Sequence, residues 1–590
     1  MPVSAAQRIK LLKMLLRRTL CHIYWRLNGH PLLRWRFLPA KTDRLVIAPQ
    51  DLRTADPTRA SEIYAGHFVF GGKAVTCDGR SPFEMTPPSD EWATLLLGFG
   101  WLRHLRAAES GITRANARAL VDEWIALQGA WHPVGWRAEV LARRVISWIN
   151  QAPLLLHDAD PQFYRRFMRS LSRQVRSLRS NHCNSRRGAA RLQIVIALMY
   201  ATLCMAGENR HLKRDIRRLE EELNWQILPD GGHVSRNRGL LIELLLDLLP
   251  LRQSFAARNL APPAALLNAI DRMMPMLRFY RHGDGNFALF NGMGPTPIDQ
   301  LATILAYDDA RGAPLQSATH SGYQRLTAKS MLVIADVGTP PPLAVSQEAH
   351  AGCLSFELSS NDHRIVINCG MPTYNRESWR EVARATAAHS TVTFNDTSSC
   401  RFRRGSSFRK LLGVPVMDGP SQVHVARDME EDGETLRAAH DGYTKAFGVI
   451  HQRALLLSPD GLRLDGKDSF LPAQGAGLPV NVPDEFAVRF HLHPSIKASR
   501  LGDGHGVMLV LPNREVWTFD AHAEQVELEE SVFLSNIDGP RRTVQIVIYG
   551  EARRTPRLYW TFAHTSAGQA EVRREASIRK AAQDEPELPL

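Results

Sequence analysis

LQIVIALMYATLCM, residues 192–205, is apolar on nearly every side when wound into a helix. A helix of that kind packs between other helices rather than on a surface. Gln193 and Thr202 interrupt it, and it falls short of the about 20 apolar residues that a membrane span requires. The flanking sequence carries the complementary pattern. From about Glu91 to Asp309 apolar positions follow a helical period over Trp92–Leu105, Val121–Leu127, Arg137–Ile149, Phe163–Leu178, Asp215–Gln226, Leu240–Leu249, Pro263–Tyr280 and Ile298–Tyr307. Short loops rich in Gly, Pro and Asp separate them, which predicts a succession of amphipathic helices with antiparallel neighbours. After Tyr323 the pattern changes. Met331–Asp336, Leu354–Leu358, Arg364–Asn368, Thr391–Phe394, Ala454–Leu457, Ala487–Leu492, Val507–Leu511, Glu515–Phe519 and Thr543–Tyr549 are short, β-branched and often alternating. With no helical period between them they predict an antiparallel β-sandwich, joined to the helical part near Gly312–Gly322. A cleft between two such bodies is a natural binding site.

Of the 590 residues 44% are hydrophobic and 23% charged, which excludes a collagen, a low-complexity linker and a largely disordered chain. Seven scattered cysteines without a Cys-x-x-Cys pair predict packed thiols rather than a disulfide framework. The formal charge is +13, but nine of the excess positive charges lie in residues 1–42, which contain no Asp or Glu. The basic balance is therefore poor support for a polyanion-binding body, and no specific nucleic-acid partner is expected. Within that arm Ile9, Leu12, Leu16, Leu20 and Ile23 recur at helical spacing among Lys10, Lys13, Arg17 and Arg18. Two readings stand: a cationic helix lying on an anionic membrane surface, or a helix docked on its own domain. Basic residues interrupt the stretch too often for a signal peptide or a span, so the cytoplasm is the expected compartment.

No phosphate loop, HExxH, GxSxG or zinc-finger spacing occurs. Four polar clusters remain. Trp131-His132-Pro133 with Trp136, Arg137 and Arg143 offers rings to stack on sugars and guanidinium groups for carboxylates, or simply a helix start with aromatic anchors. Ser180-Asn181-His182-Cys183-Asn184-Ser185-Arg186-Arg187 precedes the apolar helix, a place suited to an anion or to capping. Asp230-Gly231-Gly232-His233 leads to Arg236 and Arg238, which would converge on a cleft or cap the next helix. In the β part Glu348-Ala349-His350, Asn368-Cys369-Gly370 and His389-Ser390-Thr391 would make a zinc site if their strands are neighbours. His491 and His493 alternate across one strand and cannot share an ion unaided.

The order of these segments resembles the heparinase II/III family of polysaccharide lyases from about Trp131 to Arg453. The resemblance rests on the Trp-His-Pro element, Asn181-His182, Asp230-Gly-Gly-His233, Ala349-His350-Ala351, Asn368-Cys369-Gly370 and Ala388-His389-Ser390-Thr391. It implies a helical (α/α) toroid followed by an antiparallel β-sandwich, and β-elimination on a uronate-containing, acidic polysaccharide. In that chemistry a base removes the proton beside the carboxylate while preorganised donors hold the enolate-like dianion. By resemblance Asn181 and His182 neutralise the carboxylate, and Glu348 or His350 supplies acid–base function. Trp136, Arg186, His233, Arg236 and Arg238 then contact substrate. No cofactor is required, and a zinc ion on His350, Cys369 and His389 would be structural.

Departures accompany the likeness. Leu240-Leu241 stand where a Tyr-His-like pair is expected, so Tyr280, Tyr323, Tyr374 or His233 would have to replace the tyrosine acid. Asn368 stands for an aspartate, and only His350 remains of a His-x-His pair. The alternative reading is accordingly a catalytically impaired glycan-binding or glycan-assembly protein on the same scaffold. The family resemblance points to a cell-envelope or periplasmic site, against the cytoplasm read from the arm. The expected divisions are an arm over 1–60, the toroid over 61–315, the sandwich over 323–576 and a flexible tail over 577–590.

Overall fold

The computed structural model describes residues 44–565 apart from 182–186, 309–311, 374–376, 404–413, 476, 481 and 523, together with the helical positions 9, 12, 13, 15, 16, 19, 20 and 23. Helices come first: α1 (Thr58–Tyr64), α2 (Asp90–Leu97), α3 (Leu102–Ala107), α4 (Gly111–Leu127), α5 (Ala138–Asn150), α6 (Ala152–Leu156) and α7 (Pro161–Asn181). They continue with α8 (Ala189–Cys204), α9 (Leu212–Gln226), α10 (Gly239–Ala257), α11 (Ala264–Phe279) and α12 (Ile298–Leu305), which complete an α/α toroid. The apolar stretch is α8, packed by α5, α9 and α10, with Ile194, Ile196, Leu198 and Tyr200 fully buried. Local chemistry sets the ends. Ser110 caps α4 in a reciprocal capping box with Thr113, and Ser89 accepts from the Trp92 N–H at the start of α2. The period expected to run from Trp92 to Leu105 is broken at Gly98-Phe99, where Phe99 takes a left-handed φ of 56° so that its ring packs edge-on against Trp124 and Trp148.

The body begins earlier than the arm predicted over 1–60 would allow. Leu45 bridges Met205, and Arg53 forms a buried ion pair with Asp247 at 2.7 Å, so the chain from Arg44 onward belongs to the toroid. An unforeseen hairpin, His67–Phe70 with Lys73–Thr76, lies against α1 and α2. Among the described residues no helix is long and apolar enough to cross a membrane.

The second half is a sandwich of two antiparallel sheets. The 9-stranded sheet runs in the order Glu527–Phe533, Arg541–Glu551, Glu485–Leu492, His363–Ile367, Phe356–Ser360, Met331–Asp336, Tyr323–Ala328, Ser317–Ala318, with Val392–Phe394 also paired to Glu485–Leu492. Opposite lies an 8-stranded sheet from Val423–Glu430 to Lys497–Arg500, with Arg463–Pro472 and Arg557–His564 at its centre. The rings of Phe356, Phe490 and Trp560 meet between them at 4.8–6.1 Å. Buried Asp468 accepts from His451, Arg453 and Trp560, and Arg453 Nη1 reaches across to the Leu354 and Ser390 carbonyls, which lie just before strands of the facing sheet. Burial by itself would raise the Asp468 carboxyl, but Arg453 and His451 together outweigh it and hold the group below its usual range.

Candidate functional site

The toroid meets the sandwich along the loop between α9 and α10. Gly231 turns this loop at φ 92°, and a Cβ there would collide with the Arg272 carbonyl. Asp230 then faces the sheet half and accepts from the Ser321 hydroxyl at 2.7 Å and the Ser321 N–H at 2.6 Å. His233 points inward. Its Nδ1 accepts from the Ser235 N–H, so Nε2 carries the proton and donates to Gln226 at 3.0 Å, and burial lowers its pKa to about 4.

Arg236, at φ 62°, crosses the seam. Nε donates to the Ser321 carbonyl (2.7 Å), Nη1 to those of Gly338 and Thr339, and Nη2 to the Gly322 carbonyl and Asp336 (2.6 Å). All five N–H donors are occupied; burial opposes the charge, but Asp336 together with neighbouring groups outweighs it and raises the Arg236 pKa. Arg238 is 1% exposed and lies over the rings of Tyr280, Phe290 and Tyr323 at 4.7–4.9 Å. Its Nη1 donates to the Ala288 and Phe290 carbonyls, whereas Nε and Nη2 have no acceptor among the described residues. Tyr323 accepts from Asn291 Nδ2 at 2.7 Å and donates to the Arg236 carbonyl, and burial raises the pKa of both Tyr280 and Tyr323.

On the sheet side Glu348 is the exposed member, at 44%, accepting from Asn237 at 2.8 Å and Arg380 at 3.3 Å. His350 is buried. Its Nε2 accepts from the Gly292 N–H at 3.0 Å, which leaves the proton on Nδ1 to donate to His389 Nε2, also at 3.0 Å; His389 Nδ1 in turn donates to the Ala385 carbonyl. Both imidazoles are thus neutral donors and acceptors in one chain, and burial keeps His350 well below its usual range and His389 at about 4.

This arrangement does not fit the zinc ion expected on His350, Cys369 and His389. The two facing nitrogens satisfy each other, while the Cys369 thiol lies 3.6 Å from His491 and burial pushes it up to about 12. Asn368 donates to Glu357 and accepts from the Ser390 N–H, and among the described residues no third His, Cys, Asp or Glu joins the pair.

The structure therefore brings Arg236, Arg238, Glu348 and His350 to one seam. Trp136 is not there: it is 6% exposed, its indole donates to the Gln128 carbonyl, and it has no open face for a sugar. Asn181 ends α7, its side chain lying outside the described residues with His182, Arg186 and Tyr374. Asn237, Asn291, Gly292 and Arg380 belong to the seam and were not singled out. Asn291-Gly292 carries a turn signal, and Asn237 stands within the polar cluster after Asp230, so both were findable.

Comparison places this geometry. Residues 310–561 match the family described as "Heparinase II/III-like, C-terminal". FtsZ-localized protein C of Caulobacter vibrioides is 32% identical over 521 residues, which is 87% of this chain and 88% of that protein. The crystal structure of heparinase III superposes with a TM-score of 0.70 at 13% identity, over 92% of this chain and 91% of that one. Heparan sulfate lyase HepC from Pedobacter heparinus gives 0.61 at 14% identity, over 88% and 86%. These likenesses, over most of the chain, give one conclusion: the chain belongs to the heparinase II/III family.

Proposed function

We propose that this chain is a non-cleaving assembly protein on a polysaccharide-lyase scaffold, working at a membrane surface in company with FtsZ. The observation that carries the reading is Arg236, whose five donors are all committed to the seam and leave none for a substrate carboxylate. His233, Tyr280 and Tyr323, three of the four groups that could replace the missing tyrosine acid, are buried. Elimination needs a proton donor at the leaving oxygen and donors aimed at the developing dianion. The alternative reading keeps Asn181 and His182 on the carboxylate and Glu348 or His350 as acid–base group; the first two side chains lie outside the described residues.

The long match to an FtsZ-localized relative supports the placement with FtsZ. The arm supports the membrane surface: Ile9, Leu12, Leu16, Leu20 and Ile23 are helical and 48–66% exposed, in a segment without an acidic residue. The cytoplasm is the compartment this reading requires. An acidic glycan remains the ligand class for the seam, where Arg380 and Glu348 are the partly exposed charged groups.

Two measurements test the proposal. Incubation with a panel of uronate polymers should yield no ultraviolet absorbance from unsaturated products, while a fluorescent fusion of the full chain should coincide with FtsZ. Turnover of any polymer refutes the non-cleaving half, and a fusion distributed without regard to FtsZ refutes the placement.

A further inference from the structure

The amino-terminal arm joins the body at the carboxy-terminal end of α8. The Ala206 N–H donates to the Arg44 carbonyl at 3.0 Å, the Val46 N–H donates to that of Cys204 at 2.7 Å, and Leu45 bridges Met205. Around this junction Arg44, Arg210, Lys213, Arg214 and Arg217 are all exposed. The nearby carboxylates answer them only in part: Arg214 and Arg217 each have one within 3.6 Å, whereas among the described residues Arg44, Arg210 and Lys213 form no ion pair. Glu208 and Asp215 are buried and bound to Arg179 at 2.7 and 2.6 Å, and Asp215 already has Arg214 and Arg218 within 3.7 Å. The exposed Glu221 pairs with Arg217 at 3.5 Å. Arg210 and Arg214 lean on the His211 ring. Lys213 and Arg214 stand in the first turn of α9, where the helix dipole favours acids, so helix stability does not account for them.

We propose that this cationic junction is a second contact with anionic phospholipid headgroups, continuous with the arm. The inference rests on the membrane-surface reading above and deepens it. The arm buries its apolar stripe at the acyl boundary. The junction lies on the headgroups beside the point where the arm leaves the body, and so fixes how toroid and sandwich face the bilayer. Charge complementarity and continuity with the arm identify the partner as a bilayer rather than another protein.

The test uses the full chain and vesicles of phosphatidylcholine with or without phosphatidylglycerol, in a flotation assay over a range of salt. The wild-type chain should float with the anionic vesicles only. Lys213→Gln/Arg214→Gln/Arg217→Gln should lower that affinity about a hundredfold, at roughly fivefold per charge, and flatten its salt dependence. Its circular dichroism and melting should match wild type, since all three side chains are exposed. Leu12→Glu/Leu16→Glu should abolish binding through the arm. Unchanged affinity of the triple variant, with the arm variant impaired, overturns the second contact and leaves the membrane reading standing. Failure of the wild-type chain to float overturns both. Equal, junction-dependent affinity for duplex DNA overturns lipid as the partner.

Discussion

Arg236 illustrates how one side chain can decide what a seam does. Replacing it by Ala would leave the buried Asp336 carboxylate without its cation, although the Asn291 amide still donates at 2.9 Å. A loss of about 3–5 kcal/mol in urea unfolding is expected, with Lys recovering little because it lacks the planar fork. A loss below about 1 kcal/mol would refute the role assigned here. His233 makes a prediction about pH. Its pKa falls from 6.5 to about 4 on folding, so the unfolded chain binds the proton first as pH drops. Stability from this group is complete above pH 6.5, declines as the pH falls, and levels off below about 4, by about 3 kcal/mol in all. His233→Gln should flatten that slope in melting curves taken across the interval. Both residues were visible in the sequence as part of a polar cluster. That they brace a seam instead of facing a ligand was not, because the partners of Arg236 lie 85–103 positions away.

Elements follow from their periodicity where burial is one-sided. The strand expected over Met331–Asp336 forms over those residues, and α8 is buried as its composition requires. Strands Gly433–His440 and Arg463–Pro472 were not anticipated, since their alternation is carried by Thr, Ala, Asp and Ser. The period read over Leu240–Leu249 continues through Pro250 to Ala257; packing on both sides of α10 outweighs the proline. The turn before α10 provides an element-scale test. Gly231→Ala would force a left-handed alanine into the Arg272 carbonyl and should cost at least about 2 kcal/mol in denaturant titrations. An alanine variant as stable as wild type would mean that the loop is free to shift.

At the scale of the molecule the two halves are joined by Asp230 to Ser321, Arg236 to Asp336, His282 to Glu357, and Arg325 to the Phe279 and Arg281 carbonyls. These ties are buried or half-buried, and calorimetry should show the toroid and the sandwich melting in one transition. Asp336→Asn should resolve two, because it leaves the Arg236 guanidinium buried without its counter-charge. One unshifted peak in that variant would locate the coupling elsewhere. The order of toroid and sandwich was legible from the change of period near Tyr323, but the seam needs three-dimensional proximity and leaves no local signature. Jaws welded at the hinge cannot close upon a guest. Any partner of this seam meets a fixed contour, and its capture in stopped flow should speed up in proportion to concentration, with no plateau from a slow clamping step.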